Sequence, residues 1–386
     1  MKILHLISDH QVIERTLGVY EEVFPGCNEV LVFGDEDKQF KRLKGDYKGR
    51  IVNFRNLKRF ANNYDFSKVT HVISHYMSFD KIDFIKHIPE NIPVCWEVYG
   101  YDLYNQFLGP RGYELYYTNP QKYDNHQFLR SHFSGLFYLY ANLRATIKGY
   151  KYRFSFQKNR QFKYICNRIN SIQFCCGYDA EYIKEFSKRD IHSYEIFNYS
   201  LNEVLGDLKD SDFSNGDDIL IGNSASFSNN HLYILNYLKK IDVPQNIKLI
   251  IPLSYGGHEK YINDVENEYK NNYPGQIEIL RDYIPLYEYN KYFLRLKAMI
   301  LSAWRQESQG TAMMGFYLGI KVYMSERSPL YKWFIDCGFS VFPIEKVTSD
   351  NFFNPLSLEE KEKNRALVVE RYNDDRIKDI FKKNIK

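Results

Sequence analysis

Four stretches of this sequence carry residue types able to grip a phosphate or move a proton, and each follows a short β-rich run. In WRQESQGTAMMGFYLGI (304–320), the polar Arg305 and Gln306 end a strand and Gln309, Gly310 and Thr311 open an apolar helix. A helix start offers free backbone N–H groups and a positive dipole end, glycine permits close approach, and arginine grips two phosphate oxygens at once. That combination suits a diphosphate. In IGNSASFSNNH (221–231), the turn Gly222-Asn223-Ser224 also leads into a helix, which begins near His231. It suits a nucleotide's base, ribose or phosphate. The other two are Ser8-Asp9 ahead of Arg15-Thr16, and WEVYGYDLY (96–104) with Asp102. Each feature has a plainer reading: Gly-Thr as an ordinary helix start, an Asp after a strand as a turn, and Trp96 as core.

Other chemistries are disfavoured by missing motifs. No GxGxxG follows the first strand, and neither GxxxxGK[ST] nor GxSxG occurs, which argues against a dinucleotide-dependent dehydrogenase, a P-loop NTPase and a serine hydrolase. No cofactor is expected. Six Cys stand at 27, 95, 166, 175, 176 and 337 without a CxxC pair or Cys/His cluster, so neither zinc nor a disulfide framework is predicted, and reduced thiols fit the cytoplasm. Two Asp-x-Asp pairs, Asp35/Asp37 and Asp210/Asp212, lie in acidic loops and read as solvated turns.

The elements that must position these residues alternate. Short β-rich runs at 2–7, 29–34, 50–54, 70–75 and 93–100 are separated by helix-compatible pieces, and strand signals resume at 170–176 and 195–200. An acidic, polar stretch at 201–218 reads as a linker. A second alternation follows, with strands at 219–224, 247–255, 277–285, 297–304, 320–326 and 339–345 and a charged helical tail. Alternating β and α predicts parallel sheets covered on both faces. At 386 residues and roughly 150 per domain, two or three domains are expected. The boundaries predicted are 1–205 and 206–386, two doubly wound Rossmann-like domains that face each other across a cleft, with ligands at the carboxyl ends of the strands. The opening MKILHLISDH, with one Lys and a short apolar run, reads as the first strand and not as a signal peptide. No apolar stretch reaches the ~18 residues that span a bilayer.

Charge is unevenly spread. Between Asn125 and Tyr178 there is no Asp or Glu, but nine Lys/Arg: Arg130, Arg144, Lys148, Lys151, Arg153, Lys158, Arg160, Lys163 and Arg168. This stretch carries +9 in a chain of net +4, which leaves the rest at −5. Aromatics interleave it: Phe133, Phe137, Tyr138, Tyr140, Tyr150, Tyr152, Phe154 and Phe156. Three readings fit: stacking and phosphate contacts to single-stranded nucleic acid, an anionic membrane surface, or a solvated helical face.

Taken in order, these blocks resemble the TDP-N-acetylfucosamine:lipid II N-acetylfucosaminyltransferases, glycosyltransferase family 56, which act in enterobacterial common antigen assembly. The matching residues are Asp9 with Arg15-Thr16, His75, Trp96 with Gly100-Tyr101-Asp102-Leu103-Tyr104, Ile221 to Ser224, Ser228 to His231, Pro252 with Tyr255, Arg305-Gln306, Gly310-Thr311 and Gly319-Ile320. They run from about residue 4 to 335. Tyr99 stands where the family pattern has a second Trp, Asn230 replaces an acid, and the basic-aromatic stretch is longer.

The resemblance implies a GT-B fold, a nucleotide-sugar donor (dTDP-linked) on the C-terminal domain, and an undecaprenyl-diphosphate-linked saccharide acceptor on the cytoplasmic face of the membrane. A peripheral enzyme of surface polysaccharide synthesis is thus expected, metal-independent and not bound to nucleic acid. Glycosyl transfer needs a stabilised leaving diphosphate, a deprotonated acceptor hydroxyl and a positioned sugar. Arg305 with Gln306 and the Gly310-Thr311 helix start are assigned to the diphosphate, and Gly222, Asn223, Ser224, His231 and Tyr255 to the rest of the donor. Asp9 is the preferred base, followed by Asp102 and His75. Arg15, Trp96, Gly100 and Tyr104 are assigned to acceptor or sugar, and Lys148, Lys151, Arg153, Lys158 and Arg160 to the membrane. The alternatives are a non-catalytic nucleotide-sugar-binding protein of this fold and a nucleic-acid-binding protein.

Overall fold

The structure, a computed structural model, describes residues 1–10, 12–34, 40, 43, 50–53, 55–123, 134–147, 155–197 and 200–385. They form two compact units. One contains Met1–Tyr113, His126–Tyr199 and Asp375–Lys386, and the other Glu114–Asn125 and Ser200–Asp374.

The first unit is an all-parallel sheet of seven strands: β1 (Ile3–Ile7), β2 (Asn28–Phe33), β3 (Ile51–Val52), β4 (His71–His75), β5 (Val94–Glu97), β6 (Ser171–Phe174) and β7 (His192–Glu195). Their order is β3-β2-β1-β4-β5-β6-β7. β1, β4 and β5 are almost continuously buried because helices cover both faces, which is why they read as apolar runs and not as alternating ones. The second unit repeats the plan with six parallel strands: β8 (Asp218–Ile221), β9 (Leu249–Pro252), β10 (Ile277–Leu280), β11 (Leu296–Leu301), β12 (Lys321–Met324) and β13 (Phe342–Pro343), in the order β10-β9-β8-β11-β12-β13. The direction of winding therefore reverses between β1 and β4 in one unit and between β8 and β11 in the other. At such a reversal the loops leaving the two strands diverge and open a crevice.

Three sequence expectations differ from this arrangement. The stretch 201–218 is no plain linker: Ser200 and Glu203 form a reciprocal cap on the helix Leu201–Leu205, and Leu201, Val204, Leu205 and Leu208 are buried. Acidic residues there mask a short apolar stripe. The last strand of the first unit lies at His192–Glu195, ahead of the expected 195–200. The division at 205/206 differs from the compact units. Ser200–Leu205 and Glu114–Asn125 belong to the second unit, and Asp375–Lys386 returns to the first, where Phe381 packs on Tyr20 with ring centroids 4.5 Å apart. A contiguous split read along the chain cannot anticipate such crossings, because they depend on where tertiary partners lie.

Candidate functional site

The second unit gathers most of its unusual backbone at the winding reversal. Gly222 follows β8 with φ +69°, and a Cβ there would sit 2.9 Å from Asn229 Oδ1 and 3.0 Å from His231 Nε2. Only glycine fits. The Asn229 side chain braces the turn: its Oδ1 accepts from Asn223 N at 2.9 Å and its Nδ2 donates to Ser224 Oγ at 3.0 Å. Asn230 sits in the left-handed region at φ +51°, Oδ1 accepting from Tyr117 N at 2.8 Å and Nδ2 donating to the Ser302 carbonyl at 3.0 Å. An Asp, as in the family pattern, could not make the second bond. Ser308, after β11, is also left-handed at φ +68°. Strain of this kind costs ~1–3 kcal/mol per residue and persists where the surroundings over-determine it.

Two helices start here, His231–Leu238 and Gln309–Tyr317, and neither has a side-chain cap. The helices that start at Ile13, Leu57, Gly177, Leu286 and Pro329 are likewise uncapped, whereas Ser78, Ser200, Thr348 and Ser357 cap theirs. Around the starts at His231 and Gln309 lie buried polar atoms with no hydrogen-bond partner in the protein: Asn223 Oδ1, His231 Nε2, Ser302 Oγ, Trp304 Nε1 and Ser308 Oγ. A buried polar atom left unmade costs ~1–3 kcal/mol, so these atoms are available to a ligand seated here.

Arg305, mostly buried, supplies the charge. Its Nη2 lies 3.1 Å from Glu307 Oε2 and 3.4 Å from Ser228 Oγ, and Ser228 also donates to Glu307. Gln306 offers its carbonyl to Arg305 Nη1 at 3.4 Å. Gly310 has nothing within 4 Å of a would-be Cβ, and Thr311 beside it is partly exposed, so the helix start remains approachable. Tyr255 is exposed, and its carbonyl accepts from Ala225 N at 2.8 Å. Of the donor-side residues predicted from sequence, Gly222, Asn223, Arg305 and Gln306 lie in the loops that leave β8 and β11 at the reversal, and Gly310 and Thr311 open the helix that follows; Ser224 and His231 are buried beneath the turn, and Tyr255 lies in the loop after β9. Two residues outside the predicted site hold these loops: Asn229, part of the family-matching block, braces the turn, and Glu307, one residue past Gln306 in the strand-exit loop, pairs with Arg305.

The first unit has its own reversal, and there the predicted residues separate by burial. Asp9, after β1, is exposed, and its Oδ1 accepts from Leu43 N at 3.0 Å. Arg15 is partly buried one helix turn further on. Asp102 is fully buried. It accepts from Met77 N and Trp96 Nε1 at 2.8 Å each and from Tyr99 N at 3.0 Å, tying the loops after β4 and β5 together, and burial raises its pKa. It is a brace and not an accessible base. Trp96 and Tyr104, expected at the acceptor, are wholly buried, Tyr104 donating to Asp179 Oδ1 at 2.6 Å. Gly100 acts through its backbone, at φ +75°.

His75 is buried too, in a polar chain across the sheet. Its Nδ1 is 2.5 Å from Glu97 Oε2, its Nε2 is 2.9 Å from His5 Nδ1, and His5 Nε2 is 3.0 Å from Asn28 Oδ1. Buried Lys81 donates to the His75 carbonyl and, at 2.9 Å, to that of Tyr76, which holds Tyr76 at φ +60°; burial lowers the Lys81 pKa to about 7. Sequence reasoning found His75 but not His5, Glu97 or Lys81. For His5 and Glu97 the signal is a polar residue inside an apolar strand; Lys81 lies on the helix Phe79–Ile85 and carries no such signal.

Burial, with His75 alongside, pushes His5 down to about 3, and burial alone pushes His231 down to about 3. Both folded values lie below the unfolded ~6.5, so the stability they contribute is complete above pH 6.5 and is lost as pH falls toward 3. Each should cost about 2 kcal/mol between pH 7 and pH 5. Urea denaturation at the two pH values checks this: His231→Gln should shrink the difference, and an unchanged difference would contradict neutral burial.

Of the membrane-assigned cations, Lys148, Lys151 and Arg153 lie outside the described residues. Arg160 is exposed, and Lys158 sits 5.8 Å over the Phe79 ring. Arg168, counted in the +9, is structural: it is buried and donates to the carbonyls of Pro89 and Ile92 at 3.0 Å each. Asp35 and Asp37 are also outside the described residues, and Asp212 is exposed.

Two doubly wound parallel units of this kind form the GT-B fold. The likeness to solved structures is one of fold. The Anabaena protein HepE, crystallised with UDP, matches with a TM-score of 0.62 at 11% identity, over 100% of this chain and 99% of that one. Sucrose-phosphate synthase from Thermosynechococcus elongatus matches at 0.60 and 10%, over 99% and 98%. The trehalose 6-phosphate synthase of Burkholderia multivorans matches at 0.57 and 8%, over 100% and 96%. No curated protein sequence matches. The family described as 4-alpha-L-fucosyltransferase, glycosyl transferase group 56, matches residues 135–354, more than half of the chain, and the chain belongs to that family.

Proposed function

We propose that this glycosyltransferase moves an N-acetylfucosamine-type sugar from a dTDP-linked donor to an undecaprenyl-diphosphate-linked saccharide, at the cytoplasmic face of a membrane, in surface polysaccharide synthesis. The observation that carries the donor half is the meeting of loops at the ends of β8 and β11, where Ser228, beside the start of the helix His231–Leu238, contacts Arg305, and the helix Gln309–Tyr317 opens a few residues on. A nucleoside diphosphate matches that arrangement: anionic oxygens for the N–H groups and Arg305, and base or ribose for Asn223, while the buried Ser224 and His231 support the turn from beneath. The UDP in the HepE structure supports a nucleotide in this class of fold. Transfer proceeds without a metal in this reading, because cation and backbone N–H groups face the leaving diphosphate as its charge grows.

In the first unit Asp9 takes the proton of the acceptor hydroxyl, the carboxylate oriented by the Leu43 N–H. Arg15 contacts the acceptor. The acceptor's lipid tail and phosphates explain the use of a stretch with nine cations and no acid.

A panel of nucleotide sugars in a thermal-shift assay tests the reading. At one hundred times Kd a bound donor adds ~2.7 kcal/mol of stability, a clear rise in Tm. A dTDP-linked amino sugar is expected to give the largest shift. No shift with any nucleotide or nucleotide sugar would overturn it.

A further inference from the structure

The helix Ser134–Ile147 has the sequence SGLFYLYANLRATI. None of its residues whose exposure is described is buried, and Leu136, Leu139 and Leu143 are 60%, 72% and 62% exposed. With Tyr140 they follow the spacing i, i+3, i+4, i+7, so all four lie on one stripe. A helix left in water has no reason to gather its leucines in this way, and a contiguous exposed apolar stripe marks a surface that something covers.

Charge identifies the cover. No Asp or Glu occurs from Asn125 to Tyr178. Arg144 on this helix, and Arg160 and Lys163 on the helix Ser155–Arg168, are exposed, as is Phe156 at 69%. The partner must be apolar and anionic together. A second copy would bring the same cations to a self-complementary interface, where like charges repel. Among the described residues no helix is long and apolar enough to cross a membrane, and this one has 14 residues. A short helix with an apolar stripe and basic flanks suits the plane of a bilayer surface.

We propose that the helix Ser134–Ile147 lies in the surface of an anionic bilayer, with Leu136, Leu139 and Leu143 in the acyl boundary and Arg144 at the phosphates. The proposal rests on the lipid-linked acceptor of the proposed function, which must be reached at headgroup depth. It assigns the salt-resistant part of attachment to three named leucines and the salt-sensitive part to the cations around them.

The test uses the full chain and vesicles of phosphatidylcholine, with or without one third phosphatidylglycerol. The protein should sediment with the anionic vesicles, and raised salt should weaken binding only in part. Leu136→Ser, Leu139→Ser and Leu143→Ser together should weaken it by at least about tenfold at low and high salt alike, with Tm unchanged because the three side chains are exposed. In a Leu139→Trp variant the new indole should shift to the blue on binding and be quenched by lipids brominated on the acyl chain. The proposal is overturned by unaltered binding of the triple variant, by the absence of quenching, or by a triple variant that converts a dimer to a monomer, since a second copy would then be the cover. Failure here leaves the donor reading standing if nucleotide sugars still stabilise the chain. Vesicle binding as expected, with no nucleotide sugar bound, sinks the functional reading and leaves this surface.

Discussion

Asp9→Asn is expected to lower sugar transfer by ~10²–10⁴ while donor binding persists, because the amide keeps the shape of the side chain and removes the proton acceptor. Burial is what ranks Asp9 above the other two candidates. Asp102 has three N–H groups on its carboxylate and no exposure, and His75 is enclosed between Glu97 and His5. Asp102→Asn should therefore act differently. Its new NH₂ would face an N–H donor, one of those donors would lose its acceptor, and stability should fall by ~1–3 kcal/mol. Activity would then follow the folded fraction. Steady-state transfer measured alongside a urea titration separates the two. An Asp9→Asn enzyme within threefold of the parent, together with a dead but fully stable Asp102→Asn enzyme, would reverse the assignment.

Arg305→Ala should lose ~10²–10³ of transfer, in line with the removal of one preorganised charge stabiliser from a partly desolvated site. Part of any loss belongs to Glu307. Its carboxylate is 3.1 Å from Arg305 Nη2 and also holds Ser228, so without the guanidinium it becomes a nearly buried, unpaired anion facing a diphosphate. The double variant Arg305→Ala with Glu307→Gln removes that repulsion. If Arg305 grips the diphosphate, the double variant should recover donor affinity in part but not turnover. Arg305→Lys should fall between, since a lysine keeps the charge but loses the two-pronged contact. Turnover of Arg305→Ala within threefold of the parent would exclude the role.

Much of the architecture was legible along the chain. Among the described residues all but one of the apolar runs fall on a strand as expected, because the central parallel strands are buried on both faces and leave no alternation to misread; the exception, at the sheet's edge, is His192–Glu195 in place of 195–200. The grouping of the residues proposed for the donor has a related reason. Gly222 and Asn223 directly follow β8 and Arg305 lies four residues past β11, and in a doubly wound sheet that position already implies proximity to the reversal.

Three-dimensional packing decided the rest. Strand-end position could not tell Asp9 from Asp102, since both follow strands; only the distant backbone N–H of Met77, brought by β4, converts one of them into a buried brace. Trp96 and Tyr104, assigned to acceptor or sugar by the resemblance, are core, Trp96 packed on Phe107 and Tyr104 on Tyr113, which for Trp96 is the plainer reading its sequence already allowed. His5, His75 and Glu97 lie far apart in the chain, and only the pairing of β1 with β4 and of β4 with β5 puts them in contact. Chain crossings followed the same logic: Glu114–Asn125 and Asp375–Lys386 are assigned by their tertiary partners and not by their place in the sequence. Local pattern determined which residues could do chemistry, because residue type and strand-end position are properties of a short stretch. Burial and contact determined which of them are placed to do it, because both are made by neighbours that the chain supplies from elsewhere.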